Sequence, residues 1–375
     1  MDDSTKALLA DLRGKNSWDR ESRDQEALAL ISRWGEADDL GRLRELDEIL
    51  RTGEPGINPE MRQSLRHGVR EALKSVEAIP RLETILAERK HGAELSPDLM
   101  TLLSEPHRAG RALALVDRHA GEPENAPMLL VLCHELSLRG IEGLDRPSVR
   151  ALEARMRKEK HPLSWLPVAR TELEGPEIEQ KIFFGSYHSL GMPFAAVKAV
   201  THELADAEPL ERGAAAEITG ADEARLIPAA TADWVKNSNG KALAAVFRFS
   251  SIPDSPVSAL KSLELECIDA QTLKVLEIGP ATALASLFGA ACNGGAYSHG
   301  RGVGWGRLDA WRSMAGLLGL PDDAPVGRVV DRAEQSSWFS LQSRSPWYLD
   351  LLDLTLAVLR EGSADLAILA ATDTD

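Results

Sequence analysis

Aromatic side chains are spread so unevenly along this chain that its two ends cannot share one kind of core. Residues 1–160 contain Trp18 and Trp34 but neither Phe nor Tyr, whereas all seven Phe and all three Tyr follow Lys160. A core in the first part must come from aliphatic residues, and their spacing is helical. Leu40, Leu43, Leu46, Ile49 and Leu50 share one helix face, as do Met61, Leu65, Val69 and Leu73. Proline recurs where a helix can begin, because the N–H that it lacks has no partner in the first turn. Starts are predicted at Asn58-Pro59, Ile79-Pro80, Ser96-Pro97 and Glu105-Pro106, and Gly53 and Gly92 stand where C-terminal caps would fall. Residues 1–160 are read as an antiparallel helical array, HEAT-like or an irregular bundle, because the starts are unevenly spaced and no signature repeats.

Beyond residue 160 both charge and pattern change. Residues 161–375 hold 28 acids and 17 bases, a net of −11, against 30 and 26, a net of −4, before them. Glu172, Glu174, Glu177 and Glu179 alternate, and Glu203 to Glu223 is a second acidic stretch; both read as solvated faces. Strand-like runs occur at Val246 to Phe249, at Leu263, Leu265 and Cys267, and at Leu366 to Ala371. Ala281 to Cys292, Arg307 to Leu318 and Tyr348 to Arg360 read as helices. The fold class expected is therefore α+β and mostly helical, with a helical array over 1–160 and an acidic mixed α/β domain with a small sheet over 161–375.

Composition narrows the function classes. With 43% hydrophobic and 27% charged residues the chain has the make-up of a soluble globular protein. Its net charge of −15 speaks against a phosphate-backbone-binding surface, so no nucleic-acid partner is expected. The apolar runs at Met128 to Cys133 and Ala281 to Cys292 are too short to span a bilayer, and the acidic N-terminus shows no secretory signal. Cys133, Cys267 and Cys292 are odd in number and lack CxxC spacing, which fits three buried thiols in a reducing cytoplasm. Arg outnumbers Lys by 31 to 12, a bacterial leaning. No metal site and no cofactor are predicted.

Candidate chemistry concentrates late in the chain. NGGAYSHGRGVGWGRLDAWR places six glycines, at 294, 295, 300, 302, 304 and 306, within thirteen residues. Backbone N–H groups freed of side-chain bulk, with Arg301 and Arg307 nearby, can cradle an anion. There is no GK[ST], so this is no P-loop; a flexible loop with Trp305 and Trp311 packed on the core explains it as well. Tyr297, His299 and Arg312 are the side chains that would serve such a site. Asn237-Ser238-Asn239-Gly240 follows a helix containing Trp234 and suits a turn. The chain closes on an apolar strand running into Thr372, Asp373, Thr374 and Asp375, and strand ends are where α/β folds place functional groups. The triplet Cys133, His134, Glu135 is not a dyad, because neighbouring helical residues point about 100° apart. Gly185-Ser186-Tyr187-His188 sets a hydroxyl beside an imidazole without a GxSxG elbow.

Three stretches, WVKNSNG (234–240), ACNGGAYSHGRGVGWGRLDAWRSMAGL (291–317) and LAATDTD (369–375), resemble in order a bacterial family defined as domain of unknown function 6183. VGWGRLDAW stands where that family would have AYGRLAAW or similar. The resemblance implies membership, a bacterial cytoplasmic setting and one cluster formed by the three stretches, but no catalytic residue. Two functions follow as expectations. The leading one is a non-catalytic protein-interaction or regulatory role, immunity-type among its forms, in which the acidic half binds a protein partner. The other is an enzyme or binding protein for a small anionic or phosphate-bearing ligand, held by Asn237, Asn239, Gly294, Gly295, Tyr297, Arg301, Arg307, Arg312, Asp373 and Asp375.

Overall fold

The computed structural model describes residues 3–12, 20–52, 57, 59–88, 95–183, 208–211, 213–349 and 351–374. Trp18, Gly53, Asn58, Gly92, Gly185-Ser186-Tyr187-His188, Glu203 and Asp375 lie outside them. The chain divides into two compact units, Met1–Met128 and Leu129–Asp375.

The first unit is helical: α1 (Asp3–Leu12), α2 (Arg20–Glu36), α3 (Leu40–Thr52), α4 (Pro59–Glu88), α5 (Pro97–Leu103), α6 (Pro106–His119) and the start of α7 (Ala126–Leu138). Three of the four proline starts begin helices, and Ser96 caps α5 by accepting the Leu99 N–H at 3.3 Å. Pro80 begins nothing; it lies inside α4. A missing hydrogen bond there is outweighed by the buried stripe that runs past it through Ala78, Ile79, Leu82 and Leu86. The core of α1 to α4 is aliphatic except for Trp34, as the missing Phe and Tyr require.

The second unit adds α8 (Pro147–Lys158), α9 (Pro176–Phe183), α10 (Ala221–Leu226), α11 (Ala232–Asn237), α12 (Pro256–Lys261), α13 (Pro280–Asn293), α14 (Gly302–Leu317) and α15 (Val326–Gln335). Its sheet comprises β1 (Ala215–Glu217), β2 (Lys241–Phe249), β3 (Lys274–Ile278), β4 (Ser337–Gln342), β5 (Leu352–Leu359) and β6 (Asp365–Asp373). They run in the order β1-β2-β6-β5-β4-β3, every neighbour antiparallel. On one face Phe247, Phe249, Val275, Phe339 and Ile368 pack with Val257 and Leu260 of α12. Helix α13 touches β4 and β5, and α14 touches β6. All nine residues of β6 are buried.

The expected α+β, mostly helical class is what the chain adopts. The segment from Tyr348 to Arg360, read as a helix, instead holds β5 (Leu352–Leu359): the strand is buried on both faces, so its apolar residues run together and the period-two signal is lost. Leu263, Leu265 and Cys267 form no strand and lie between α12 and β3. The glycine-rich stretch is a loop only to Arg301, because α14 begins at Gly302. The glycines of α14 serve close packing: a Cβ on Gly306 would lie 2.8 Å from Cys292 Cα, and one on Gly316 would lie 2.7 Å from Ile227 N. Gly306→Ala should therefore cost about 1–3 kcal/mol, since backbone and not a flexible side chain must give way. Gly327→Ala in α15, with no heavy atom within 4 Å of the added Cβ, should raise stability by about 0.5 kcal/mol. Thermal unfolding of the two variants checks the contrast in sign.

Candidate functional site

The end of β6 is where the three resembling stretches meet. Helix α13 stops at Gly294, whose φ of +76° suits glycine, and the loop returns so that a Cβ on Gly294 would lie 2.2 Å from the Gly300 nitrogen. Three successive amides then find oxygen acceptors. Gly295 N–H donates to Ser298 Oγ at 2.7 Å, Ala296 N–H to Asp373 Oδ2 at 2.7 Å, and Tyr297 N–H to Ser238 Oγ at 3.0 Å. Ser298 Oγ donates in turn to Asp233, which also accepts from Asn237 Nδ2 at 2.6 Å. Asn239 Nδ2 reaches the Thr374 carbonyl at 3.5 Å, and Thr374 N–H donates to Asp373 Oδ1 at 2.9 Å. Asn237, Asn239, Gly294, Gly295, Tyr297 and Asp373 are thus brought together, with Asp373 fully buried. The loop amides are thus satisfied by the protein's own groups, one carboxylate and two hydroxyls.

The three arginines lie along α14 and its approach, and each has carboxylate company. Arg301 donates to Asp309 Oδ2 at 2.8 Å and stacks over Trp305 at 4.8 Å, while Arg312 stands 3.8 Å from Asp309 Oδ1. Burial pushes the Asp309 carboxyl up, with Arg301 opposing. Arg307 is 1% exposed and has no donor to spare. It grips Glu174 bidentately at 2.6 Å and 2.6 Å, and donates to His134 Nδ1 at 2.6 Å, Pro167 O at 2.8 Å and Ala169 O at 3.1 Å. Burial, and next the Arg307 charge, hold His134 neutral far below its usual titration, so its Nδ1 accepts. Glu135 turns elsewhere in the helix, taking Arg139 at 2.8 Å and the backbone N–H groups of Val303 and Gly304 at the start of α14. Cys133, His134 and Glu135 therefore form no catalytic dyad.

The positive features that the glycine-rich stretch could offer a ligand are matched internally: the loop amides by Asp373, Ser298 and Ser238, the α14 N-terminus by Glu135, Arg301 by Asp309 and Arg307 by Glu174. Glu174, Glu135, Asp233 and Ser238 carried no distinguishing mark, because an alternating Glu run or a turn serine looks the same whether its partner is water or a residue far along the chain. Among the described residues no three His, Cys, Asp or Glu side chains converge as metal ligands do. What the cluster does present is apolar. Large apolar side chains exposed among the described residues are Val235, Ile252, Tyr297 and Leu351, and three of these belong to segments that meet here. Tyr297 is on the loop, Val235 is in α11 just before Ser238, and Leu351 precedes Leu352, the β5 partner of Asp373. Tyr297 is 60% exposed.

Fold and site together define a mostly helical α+β protein whose glycine-rich segment is closed by its own carboxylates. No described helix is long and apolar enough to cross a membrane. The chain belongs to the family of unknown function DUF6183, whose model matches residues 25–375. That match reaches well beyond the second half, which carried the resemblance. Comparison with curated proteins and with solved structures gives no match.

The buried pair also sets a pH dependence. Burial alone would raise the Glu174 pKa, but the Arg307 charge and hydrogen bonds from Arg307, the Thr171 amide and Trp311 bring it below the ordinary carboxylate value of 4.5. A depressed acid stabilises the fold above its unfolded pKa and loses that contribution as pH falls through the folded one. Glu174→Gln should cost about 3 kcal/mol or more near neutrality, by stranding the Arg307 charge. The melting-temperature gap to wild type should narrow as pH falls below 4.5; a gap constant with pH in thermal melts would show that the charge of Glu174 contributes nothing.

Proposed function

We propose that this protein is a non-catalytic cytoplasmic interaction or regulatory protein of bacteria, and that it engages a protein partner through the end of β6 on its acidic portion, residues 161–375. The observation that carries this reading is the meeting of Tyr297, Val235 and Leu351 segments on a loop held rigid by Asp373, Ser238 and Ser298. Exposed aromatic and aliphatic side chains on a braced scaffold lose little conformational freedom on binding, and tyrosine is favoured as an anchor at interfaces. The net charge of −15 would steer a basic partner and raise its association rate more than its affinity. Enzymatic use of the arginines is disfavoured, because Arg307 reaches no solvent and Arg301 is paired with Asp309.

The test is capture of a partner from a lysate of the source organism by the full-length chain, followed by titration with that partner once purified. Tyr297→Asp and Val235→Asp should each weaken the complex by about tenfold or more, in keeping with the loss of an interface anchor. Ile252→Asp, an equally exposed apolar position outside the cluster, should leave it unchanged. Loss of binding on Ile252→Asp alone, or partner binding indifferent to Tyr297, would overturn the assignment.

A further inference from the structure

A cleft of about 320 Å³ opens where the ends of β3, β4 and β5 meet the loop that carries Tyr348. Lys274 and Arg344 stand on its walls, and neither makes an ion pair with a described residue. Lys274 is opposed across the β3–β4 ladder by Gln342, which is uncharged. This departs from the glycine-rich stretch, where every cation has a carboxylate. Hydroxyl donors add to the two charges. Ser343 Oγ accepts from Asp269 N at 2.8 Å and Ser345 N at 3.3 Å, which uses its lone pairs and leaves its O–H to donate. Tyr348 and Thr355 share one hydrogen bond of 2.7 Å at the base, so whichever of them donates, the other keeps an O–H to give. One carboxylate lines the cleft, Asp353, and it accepts from Thr372 Oγ1 at 2.5 Å. Leu341 supplies an apolar wall.

We infer that this cleft binds a small organic anion, its phosphate or carboxylate head between Lys274 and Arg344 and its apolar body on Leu341. Two cations without an ion pair to any described residue, spare hydroxyl donors and an apolar wall in one concavity are what such a molecule needs. The volume falls at the lower end of the range for small-molecule sites, which begins at about 300 Å³. The assignment is independent of the partner surface proposed above, since no lining residue belongs to it.

Isothermal titration of the full-length protein with phenyl phosphate and with benzoate tests the site and separates the two head groups. At least one should bind with a dissociation constant below about 10 mM. The double variant Lys274→Ala/Arg344→Ala should weaken that binding by about tenfold or more while melting at the wild-type temperature, because both side chains are exposed and neither forms an ion pair with a described residue. Arg301→Ala should leave it unchanged. The inference fails if neither probe binds in that range, if the double variant binds as wild type does, or if Arg301→Ala removes the binding instead.

Discussion

A guanidinium taken out of water is stable only where nearly all its N–H groups find acceptors, and Arg307 meets that condition through a chain segment more than 130 positions away. Glu174 supplies two acceptors, the carbonyls of Pro167 and Ala169 supply more, and Trp311 one turn along α14 donates to the same carboxylate at 2.8 Å. Placing α14 against residues 167–174 in this way leaves little freedom for what precedes it. Gly306 lets α13 approach to backbone contact, Gly304 does the same toward Val131, and Glu135 closes the exposed amides at the helix start. The loop between the two helices is then held at both ends, which fixes Tyr297 where it stands.

The other fixed point is the end of β6. Successive strand residues point to opposite faces, and here both directions are used by polar groups that are fully buried. Asp373 turns to the glycine loop and satisfies the Ala296 amide, while Thr372 bonds Asp353 and accepts the Leu349 N–H at 2.8 Å. One strand end therefore braces the partner surface on one side and a wall of the anion cleft on the other. A shift of β6 by one residue would exchange these roles and strand both groups in apolar surroundings, so the register is defended by polar satisfaction as well as by packing.

Local patterns made the first unit legible. Apolar residues at helical spacing and prolines at helix starts act within a turn or two, and Pro59, Pro97 and Pro106 do begin helices. Pro80 shows the limit, since a long buried stripe overrides a local breaker. In the second unit the errors share one cause. The β5 residues Leu354 to Val358 are buried from both sides, and Gly304 and Gly306 are small because a neighbouring helix is close; both facts belong to partners elsewhere in the chain. The convergence of 237–239, 294–297 and 373 was foreseen from family resemblance and not from spacing. The internal carboxylates could not be foreseen, because Glu135, Glu174 and Asp309 carry no local sign that distinguishes a buried counter-ion from a solvated acid.

That distinction decides how positive charge should be read in an acidic protein. With 58 acids to 43 bases, the default fate of an arginine is a carboxylate partner, and Arg248 with Asp365, Arg360 with Glu223 and Arg307 with Glu174 follow it. A basic residue in a glycine-rich stretch is thus weak ground for a ligand site, since burial demands that its counter-charge be built in. Lys274 and Arg344 differ in having no such partner among the described residues while lining one concavity with hydroxyl donors. In a chain with carboxylates to spare, two cations that line one cleft without an ion pair to any described residue are more informative than six glycines, because the one carboxylate that lines the cleft with them, Asp353, is bonded to Thr372.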